Sequence, residues 1–346
     1  MNISSAIAAL VNERRCLSEE EAAAAMGDIM SGRATAAQIA ALLIALRLKG
    51  ETVDEITGMA RAMREHALRV EIDGALLDTC GTGGDAAGTF NVSTAAAFVA
   101  AGAGARVAKH GNRAMSSECG SADVLEALGA RIDLTPQQVA ECIRRSGFGF
   151  MFAQAFHPSM KHAAPVRKEL GVRTAFNILG PLVNPAGARS QLLGVARPEL
   201  ASLLAGVLSR LGAQHALVVH GHGGVDELSL SGPSLVLELR QGDTRQYEVS
   251  PEDLGLQSAP LEAIRDGHSN LWRRQLISPL DQRPQLSTVG GISPAATSLP
   301  SFTLALRRSG GARWPSRSSK PVRSCNPRLA RFDSGAAPLS QKPHAR

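Results

Sequence analysis

Aromatic side chains are scarce in this sequence, and its cysteines form no recognisable pair. Phe, Trp and Tyr together make up 3% of the residues. Alanine and glycine are abundant instead, as expected of an α/β protein with close helix packing. The cysteines are Cys16, Cys80, Cys119, Cys142 and Cys325. They include no CxxC pair and no zinc-ligand spacing, which favours a reducing, cytoplasmic setting over a disulfide framework.

The sequence also lacks the signals for secretion and membrane insertion. The apolar segment Ala6–Leu10 is too short for the core of a signal peptide, and charged residues follow it at once. Residues 86–105 carry no charge, but their Gly, Asn, Ser and Thr content is unlike that of a membrane-spanning helix. We therefore expect no membrane partner.

Basic residues are concentrated at the C-terminal end. The formal net charge is +6, yet residues 267–346 contain 13 basic and 2 acidic residues, while residues 1–266 contain 24 basic and 29 acidic residues. Because the body of the chain is acidic, the basic isoelectric point is poor evidence for a nucleic-acid partner.

Residues 1–70 have the pattern of a small domain of amphipathic helices without strands. Ser18 and Glu21 form a capping-box signature, and Thr35 and Thr52 begin two further helical patterns. One apolar helix face either forms a dimer surface or packs within its own subunit; its residues are Ile39, Leu42, Leu43 and Leu46.

From Glu71 to about residue 265, strand and helix patterns alternate, which predicts a larger α/β domain with a mainly parallel sheet flanked by helices. Residues Asn177–Pro185 contain many helix breakers and predict an irregular, rigid connection between the domains. The predicted strands are Leu76–Thr79, Ala105–Ala108, Phe148–Met151, Gln191–Val195 and His215–His220. The predicted helices are Thr94–Gly102, Ser121–Leu128, Pro136–Ser146, Ala163–Leu170 and Pro198–Leu211.

A glycine-rich segment follows the first predicted strand, and we expect it to bind phosphate. Residues 78–94 read DTCGTGGDAAGTFNVST, with four glycines and with Asn91, Ser93 and Thr94 directly before an apolar helix pattern. Glycine lets a ligand approach backbone N–H groups closely, and a helix N-terminus favours anions. The alternative for such a turn alone is a tight strand-to-helix connection without a ligand.

A second loop strengthens the expectation of a polyphosphate site. Residues 109–123 read KHGNRAMSSECGSAD and also lie between a strand pattern and a helix pattern. Lys and Arg supply positive charge, and serine hydroxyls and glycine amides supply directional donors. Taken alone, this loop is a solvated basic turn; two such loops close together in sequence favour a shared ligand.

Six motifs in order resemble the anthranilate phosphoribosyltransferase family. They are GTGGD, TFNVST, KHGNR, GSADVLEALG, HPSMKHAAPVRKELGVRTAFNILGPLVNPA and HGHGGVDELS, and the resemblance covers roughly residues 1–265. It implies transfer of the phosphoribosyl group from 5-phosphoribosyl 1-pyrophosphate (PRPP) to anthranilate, the second step of tryptophan biosynthesis from chorismate. It also implies a fold shared with pyrimidine nucleoside phosphorylases, a homodimer formed by the helical domain, and packing of parts of about 160–185 on that domain.

The resemblance further implies the residues of the site. Two Mg²⁺ ions per subunit are expected, with Ser93, Asp226 and Glu227 as ligands. Gly81, Asn112 and Arg167 are expected at anthranilate, where the planar fork of the arginine suits a carboxylate. No general base is expected, and His110 and His157 are given no catalytic role. The expected donor contacts are Gly81, Gly84, Asp85, Thr89, Asn91, Ser93, Thr94, Lys109, Ser117 and Ser121.

Two other functions remain open at the level of sequence. One is a pyrimidine nucleoside phosphorylase of the same fold. Asn112 and Arg167, in their motifs, favour the phosphoribosyltransferase over this alternative. The other is a non-catalytic paralogue that binds nucleic acid. The complete motifs and the acidic body of the chain argue against this alternative.

The composition changes after Glu262, which is the last glutamate. Residues 267–346 contain 9 Pro, 13 Ser and 11 Arg without a sustained helical period, although the family resemblance implies regular helices there. We interpret residues 266–346 as an aberrant, disordered basic tail. One hypothesis is a frameshift near residues 263–270 that impairs activity; the alternative is a genuine basic tail that binds nucleic acid.

Overall fold

The computed structural model describes residues 1–114 and 119–264. Its N-terminal part is a bundle of four helices: α1 (Ile3–Val11), α2 (Glu19–Met30), α3 (Ala36–Lys49) and α4 (Val53–Glu65). Ser18, Thr35 and Thr52 each cap a helix in a complete capping box. The sequence predicts the box at Ser18 and the helix starts at Thr35 and Thr52. Within the described ranges, no helix has both the length and the apolar character needed to cross a bilayer.

The larger part is built on one seven-stranded sheet. Its strands are β1 (Leu77–Gly81), β2 (Val107–Gly111), β3 (Phe148–Phe152), β4 (Ser190–Gly194), β5 (His215–His220), β6 (Ser234–Arg240) and β7 (Asp243–Val249). They lie in the order β3-β2-β1-β4-β5-β6-β7, with β1 to β5 parallel and the last two strands antiparallel. The chain builds outward from β1 to β3 and then crosses to the other side of β1. A topological switch point therefore lies between β1 and β4.

Helices connect the parallel strands and cover the sheet. They are α5 (Val92–Gly102), α6 (Ser121–Ala127), α7 (Pro136–Ser146), α8 (Ala153–Phe156), α9 (Ala164–Leu170), α10 (Phe176–Leu179) and α11 (Glu199–Arg210). Helix α5 packs on β1 and β2, α7 on β3, and α11 on β5 and β6. The helical bundle, the mainly parallel sheet and its flanking helices agree with the predicted fold class.

The bundle and the sheet share one hydrophobic core. Helix α9 lies against α3, while α10 and α11 lie against α4. The apolar face around Leu42 and Leu43 is fully buried in this core, so the structure decides against its use as a dimer surface. Arg64 crosses the same boundary, because its Nε donates to the carbonyl oxygen of Leu182 at 2.7 Å.

Two elements differ from the sequence predictions. The β6–β7 hairpin was not predicted, because β7 is polar on both faces and largely exposed. The segment expected to be irregular instead contains α10 and a short 3₁₀ helix, Gly180–Leu182. Proline stands at the first turn of that 3₁₀ helix, where its missing N–H costs no hydrogen bond.

Candidate active site

The carboxyl ends of β1 and β4 form the centre of the candidate site. The glycine-rich loop leaves β1 at Gly81, and the loop carrying Asp226 and Glu227 follows β5. Asp226 lies directly over both strand ends: a Cβ added at Gly81 would meet its Oδ2 at 2.3 Å, and one added at Gly194 would meet its main-chain oxygen at 1.5 Å. Glycine is therefore required at both strand ends for this loop to approach.

The glycine-rich loop turns through left-handed backbone and is tied to its surroundings at several points. Gly83 and Gly84 have φ of 64° and 78°. The N–H of Thr82 donates to the carbonyl oxygen of Gly194 at 2.9 Å, and the N–H of Gly83 donates to Asp226 Oδ2 at 2.7 Å. The loop and the acidic pair are thus one hydrogen-bonded unit, although they are far apart in sequence.

The acidic pair meets the first turn of α5. Ser93 Oγ donates to Glu227 Oε1 at 2.9 Å. Burial, followed by the neighbouring charge of Asp226, raises the pKa of Glu227 to about 8. Burial, followed by the charge of Asp85, raises the pKa of Asp226 to about 6. Three carboxylates therefore repel one another in a region that favours a cation.

The donor set fits a magnesium ion that also contacts a phosphate substrate. Asp85 Oδ2 is buried, and no hydrogen-bond donor among the described residues reaches it. The available atoms are carboxylate and hydroxyl oxygens, which Mg²⁺ prefers. In the described part of the chain, no three His, Cys, Asp or Glu side chains form a metal cage. Mg²⁺ commonly binds through one or two carboxylates, waters and substrate phosphates.

The second loop lies beside the first. Asn91 Nδ2 donates to the carbonyl oxygen of Cys119 at 2.9 Å, and Thr94 Oγ1 donates to Ser121 Oγ at 2.9 Å. The N-terminal turns of α5 and α6 therefore adjoin. Asn91 stands at the N-cap position of α5 but makes no side-chain capping bond; its amide links the two loops instead.

Lys109 is placed in the core rather than in the open cleft. It is 1% exposed, and its Nζ donates to the carbonyl oxygen of Thr79 at 2.5 Å. Burial lowers its pKa, and the nearby Asp78 carboxylate opposes that shift. Asp78 in turn accepts hydrogen bonds from the Asn184 amide at 2.7 Å and the His110 N–H at 3.2 Å. Lys109 therefore supports β1 from within the sheet.

Two other predicted residues, Thr89 and Asn112, lie on the two loops. Thr89 is half-buried at the far end of the glycine-rich loop. Asn112 is half-buried beyond β2, where its Oδ1 accepts the N–H of Arg113 at 2.8 Å. Arg113 itself is engaged by Asp123 and Glu126. Ser117 lies outside the described residues.

Arg167 presents a guanidinium that lacks a carboxylate partner in the described ranges. It lies on α9, half-buried, with its Cζ 5.1 Å from the centre of the Phe176 ring. Burial lowers its pKa, and no acidic side chain in these ranges offsets the shift. A half-buried cation over an aromatic face is suited to an anionic, planar ligand.

Sequence reasoning missed Arg173 and gave no role to the two buried histidines. Arg173 Nη2 donates to the carbonyl oxygen of Gly83 at 2.9 Å; the only sequence signal was its position within the long motif HPSMKHAAPVRKELGVRTAFNILGPLVNPA. The rings of His110 and His157 lie 5.0 Å apart. Both Nε2 atoms are buried without a partner in the described residues.

The fold and the site together define a glycosyl transferase with a helical bundle and an α/β domain. The family model for the helical bundle domain of the glycosyl transferase family matches residues 4–67, and the model for its a/b domain matches residues 73–287. The second match extends past the region near residues 263–270, where the composition begins to change.

Named relatives narrow this class. An anthranilate phosphoribosyltransferase of Roseiflexus sp. (strain RS-1) is 66% identical over 252 residues, which are 72% of this chain and 74% of the relative. A crystal structure of the Thermus thermophilus enzyme has 51% identity, a TM-score of 0.73 and covers 78% of this chain and 81% of its own. The Saccharomyces cerevisiae enzyme in complex with PRPP and Mg has 29% identity, a TM-score of 0.72 and 79% coverage of both chains. The chain belongs to the anthranilate phosphoribosyltransferase family.

Proposed function

We propose that this chain transfers the phosphoribosyl group of PRPP to the amino group of anthranilate, giving N-(5-phosphoribosyl)anthranilate and pyrophosphate. The observation that carries the proposal is the meeting of three elements at the switch point. The glycine-rich loop, the first turn of α5 and the Asp226–Glu227 pair are joined by the bonds from Gly83 N–H and Ser93 Oγ. Such an arrangement can hold a sugar diphosphate together with a divalent cation.

The donor lies, in this proposal, between the two phosphate-binding loops. The amides of Gly81 and Gly84 face the diphosphate, and the side chains of Asp85, Thr89 and Asn91 contact the donor around them. The hydroxyls of Ser93, Thr94, Ser117 and Ser121 complete the donor set, because hydroxyls adapt as donors or acceptors to phosphate and ribose oxygens. Lys109 adds positive charge from beneath β1.

Magnesium is expected at Ser93, Asp226 and Glu227, with two ions per subunit. The fit rests on the crowded carboxylates, whose pKa values are raised in its absence, and on the unpaired Asp85 oxygen. When bound, Mg²⁺ neutralises charge on the departing pyrophosphate. The protein residues themselves bind and orient the donor, so that the anomeric carbon faces the acceptor.

The acceptor is expected beside Arg167, whose guanidinium would bind the carboxylate of anthranilate through two parallel hydrogen bonds. Asn112 and the backbone of Gly81 lie on either side in this assignment. We assign no general base. An aryl amine that attacks an already dissociating, positively charged ribose needs little help with deprotonation, so positioning and charge account for the rate.

The site is tested by following the loss of anthranilate fluorescence with PRPP and MgCl₂. We expect the signal to fall only when both are present, and no phosphorolysis of thymidine with inorganic phosphate. Thymidine cleavage without anthranilate consumption would instead indicate the nucleoside phosphorylase alternative, which the named relatives do not favour.

Three features of organisation belong to the same proposal. We assign residues 1–70 to a helical domain and 71–265 to the donor-binding domain, with parts of about 160–185 packed on the helices. A homodimer in the cytoplasm is expected, and exposed Val11 and Leu48 are candidates for its contact surface. Light scattering coupled to size exclusion tests the dimer, and a monomeric mass for active protein would refute it.

A further inference from the structure

The guanidinium of Arg173 lies against the glycine-rich loop, and its backbone lies between α9 and α10. Helix α9 ends before Gly171, which has φ of 63°. The next helix, α10, begins at Phe176, and just before it the N–H of Thr174 donates to Asn177 Oδ1 at 2.9 Å. Arg173 Nη2 donates to the carbonyl oxygen of Gly83 at 2.9 Å and contacts that of Thr82 at 3.4 Å.

A side chain at Gly84 would displace the guanidinium of Arg173. A Cβ added there would lie 1.5 Å from Arg173 Nη1, and the residue has φ of 78°. Two separate features therefore disfavour a side chain at this position. One is the left-handed backbone, and the other is the guanidinium packed directly on it.

The geometry of the trans peptide determines what the contact does. In each peptide group, the carbonyl oxygen and the following N–H point in opposite directions. The peptide from Thr82 to Gly83 is held at both ends, with its oxygen near Arg173 and its N–H on Asp226 Oδ2. In the next peptide, Arg173 holds the oxygen of Gly83, so the Gly84 N–H points away from Arg173. Within the described residues that N–H has no acceptor.

We propose that Arg173 is a positioning residue that holds the Thr82–Gly84 peptides so that the Gly84 N–H is presented to the diphosphate of the donor. The inference rests on the proposed function, because it takes PRPP as the ligand of the loop. Arg173 contacts the loop from outside and does not itself contact the donor. It also joins the loop to the chain segment that carries Arg167.

The first test measures PRPP binding directly and separates it from turnover. Arg173→Ala, Arg173→Lys and wild type are titrated with PRPP and MgCl₂ by calorimetry, and their KM values are measured for both substrates. Lys168→Ala, which removes an exposed cation from α9, is the matched control. We expect Arg173→Ala to weaken PRPP binding roughly tenfold, since one charge-assisted hydrogen bond is lost. The KM for anthranilate and the Tm should stay near wild type.

Rescue distinguishes positioning from a general structural role. Millimolar guanidinium should restore PRPP affinity to Arg173→Ala but not change Lys168→Ala, and Arg173→Lys should recover part of the loss. Unchanged PRPP affinity in Arg173→Ala, or equal losses for both substrates with a lowered Tm, would overturn the inference. If wild type binds PRPP but transfers no phosphoribosyl group, the proposed function is refuted. The comparison of PRPP affinities between the variants remains valid in that case.

A double-mutant cycle tests the contact itself. Gly84→Ala is made in wild type and in Arg173→Ala, and PRPP affinity is measured for all four proteins. In wild type the new Cβ meets both the guanidinium and an unfavourable φ; without Arg173 only the backbone strain remains. We expect the loss caused by Gly84→Ala to be several times smaller in the Arg173→Ala background. Strictly additive losses would contradict the packing of Arg173 on Gly84.

Discussion

Arg167 is the residue whose surroundings argue most directly for a ligand, because its half-buried guanidinium has an aromatic face beside it and no acidic partner in the described chain. Arg167→Ala should raise the KM for anthranilate roughly ten- to a hundredfold, since a bidentate charged contact is lost. The KM for PRPP should change little. Steady-state kinetics against each substrate measures both values.

The matched control for Arg167 is Arg144→Ala, which removes an exposed arginine whose contact is with Glu141 on the same helix. It should leave both KM values unchanged. Equal increases for anthranilate and PRPP in Arg167→Ala would refute its assignment to the acceptor.

The acidic pair should govern the metal requirement. Asp226→Asn and Glu227→Gln keep the shape of each side chain but remove a charge, so more Mg²⁺ should be needed for half-maximal activity. In EDTA, Glu227→Gln should raise the Tm, because the neutral amide avoids the cost of burying a charge and the repulsion by Asp226, and it still offers an oxygen to Ser93 Oγ. A magnesium titration and a thermal melt measure the two effects.

An unchanged magnesium profile in both variants would count against Asp226 and Glu227 as metal ligands. Glu141→Gln is the control for the loss of a carboxylate, because Glu141 pairs with arginines on the surface of α7. It should alter neither the magnesium profile nor the melt in EDTA.

At the residue scale, the motif resemblance identified more of the candidate site residues than physical reasoning from the sequence did. It named Ser93 and Glu227 as metal ligands, and the structure places their oxygens 2.9 Å apart. The contact of Arg173 with Gly83 could not be predicted from the sequence, because it depends on how a turn after α9 approaches a loop after β1. The interior position of Lys109 was hidden for a similar reason: a basic residue beside glycine and asparagine predicts a solvated loop.

At the scale of elements, local signals predicted helix starts well and a polar hairpin poorly. The capping box at Ser18 and the helix starts at Thr35 and Thr52 are short-range patterns and appear as predicted. The turn between β6 and β7 has positive φ at Gln241 and Gly242, which matches the twist of a hairpin. Only its Gly was visible as a signal, since the polar β7 lacks the alternation that marks a half-buried strand.

The crossing of α2 and α4 yields a paired prediction on two helical glycines. A Cβ at Gly58 would meet the carbonyl oxygen of Glu19 at 2.0 Å, whereas a Cβ at Gly27 would meet nothing within 4 Å. Gly58→Ala should therefore lower the free energy of unfolding by about 1–3 kcal/mol through overpacking. Gly27→Ala should raise it by about 0.5–1 kcal/mol, because alanine favours the helix.

Urea unfolding of both glycine variants measures these changes. Each variant is the control for the other, since each adds one methyl group to a helix of the same bundle. Equal destabilisation by the two substitutions would mean that the helices do not approach as closely at Gly58 as the structure indicates.

At the scale of the whole molecule, local sequence patterns predicted the order of elements but not how the elements attach to one another. The change of period after Glu71 predicted a helical domain followed by an α/β domain. The shared core that joins α9, α10 and α11 to the bundle arises from long-range packing. Only the family resemblance implied that parts of about 160–185 pack on the helices.

The composition change after Glu262 is also a property of the whole chain, although the residues it concerns lie outside the described part. We expect resequencing to recover a frame that continues the family pattern after residues 263–270. An unbroken frame, supported by peptide masses across residues 265–346, would instead establish the basic tail as genuine. The family match up to residue 287 makes the region around 263–287 the first to sequence.

Acid stability of the whole molecule should depend on His110 and His157, which pack where the sheet meets the 180–183 segment. Burial lowers their pKa values to about 3 and about 4, whereas an unfolded histidine has a pKa near 6.5. The unfolded chain therefore binds more protons below pH 6.5. Stability from these groups is fully present above that pH and is lost as the pH falls toward 4.

Each histidine should cost about 1–2 kcal/mol of stability between pH 7 and pH 5. His110→Gln with His157→Gln should flatten this loss, even if the double variant is less stable at pH 7, because an amide does not titrate. Urea unfolding at the two pH values gives the difference, and His222→Gln, at an exposed histidine, serves as the control. A double variant that loses as much stability as the control between pH 7 and pH 5 would show that both rings are protonated or solvated in the folded protein.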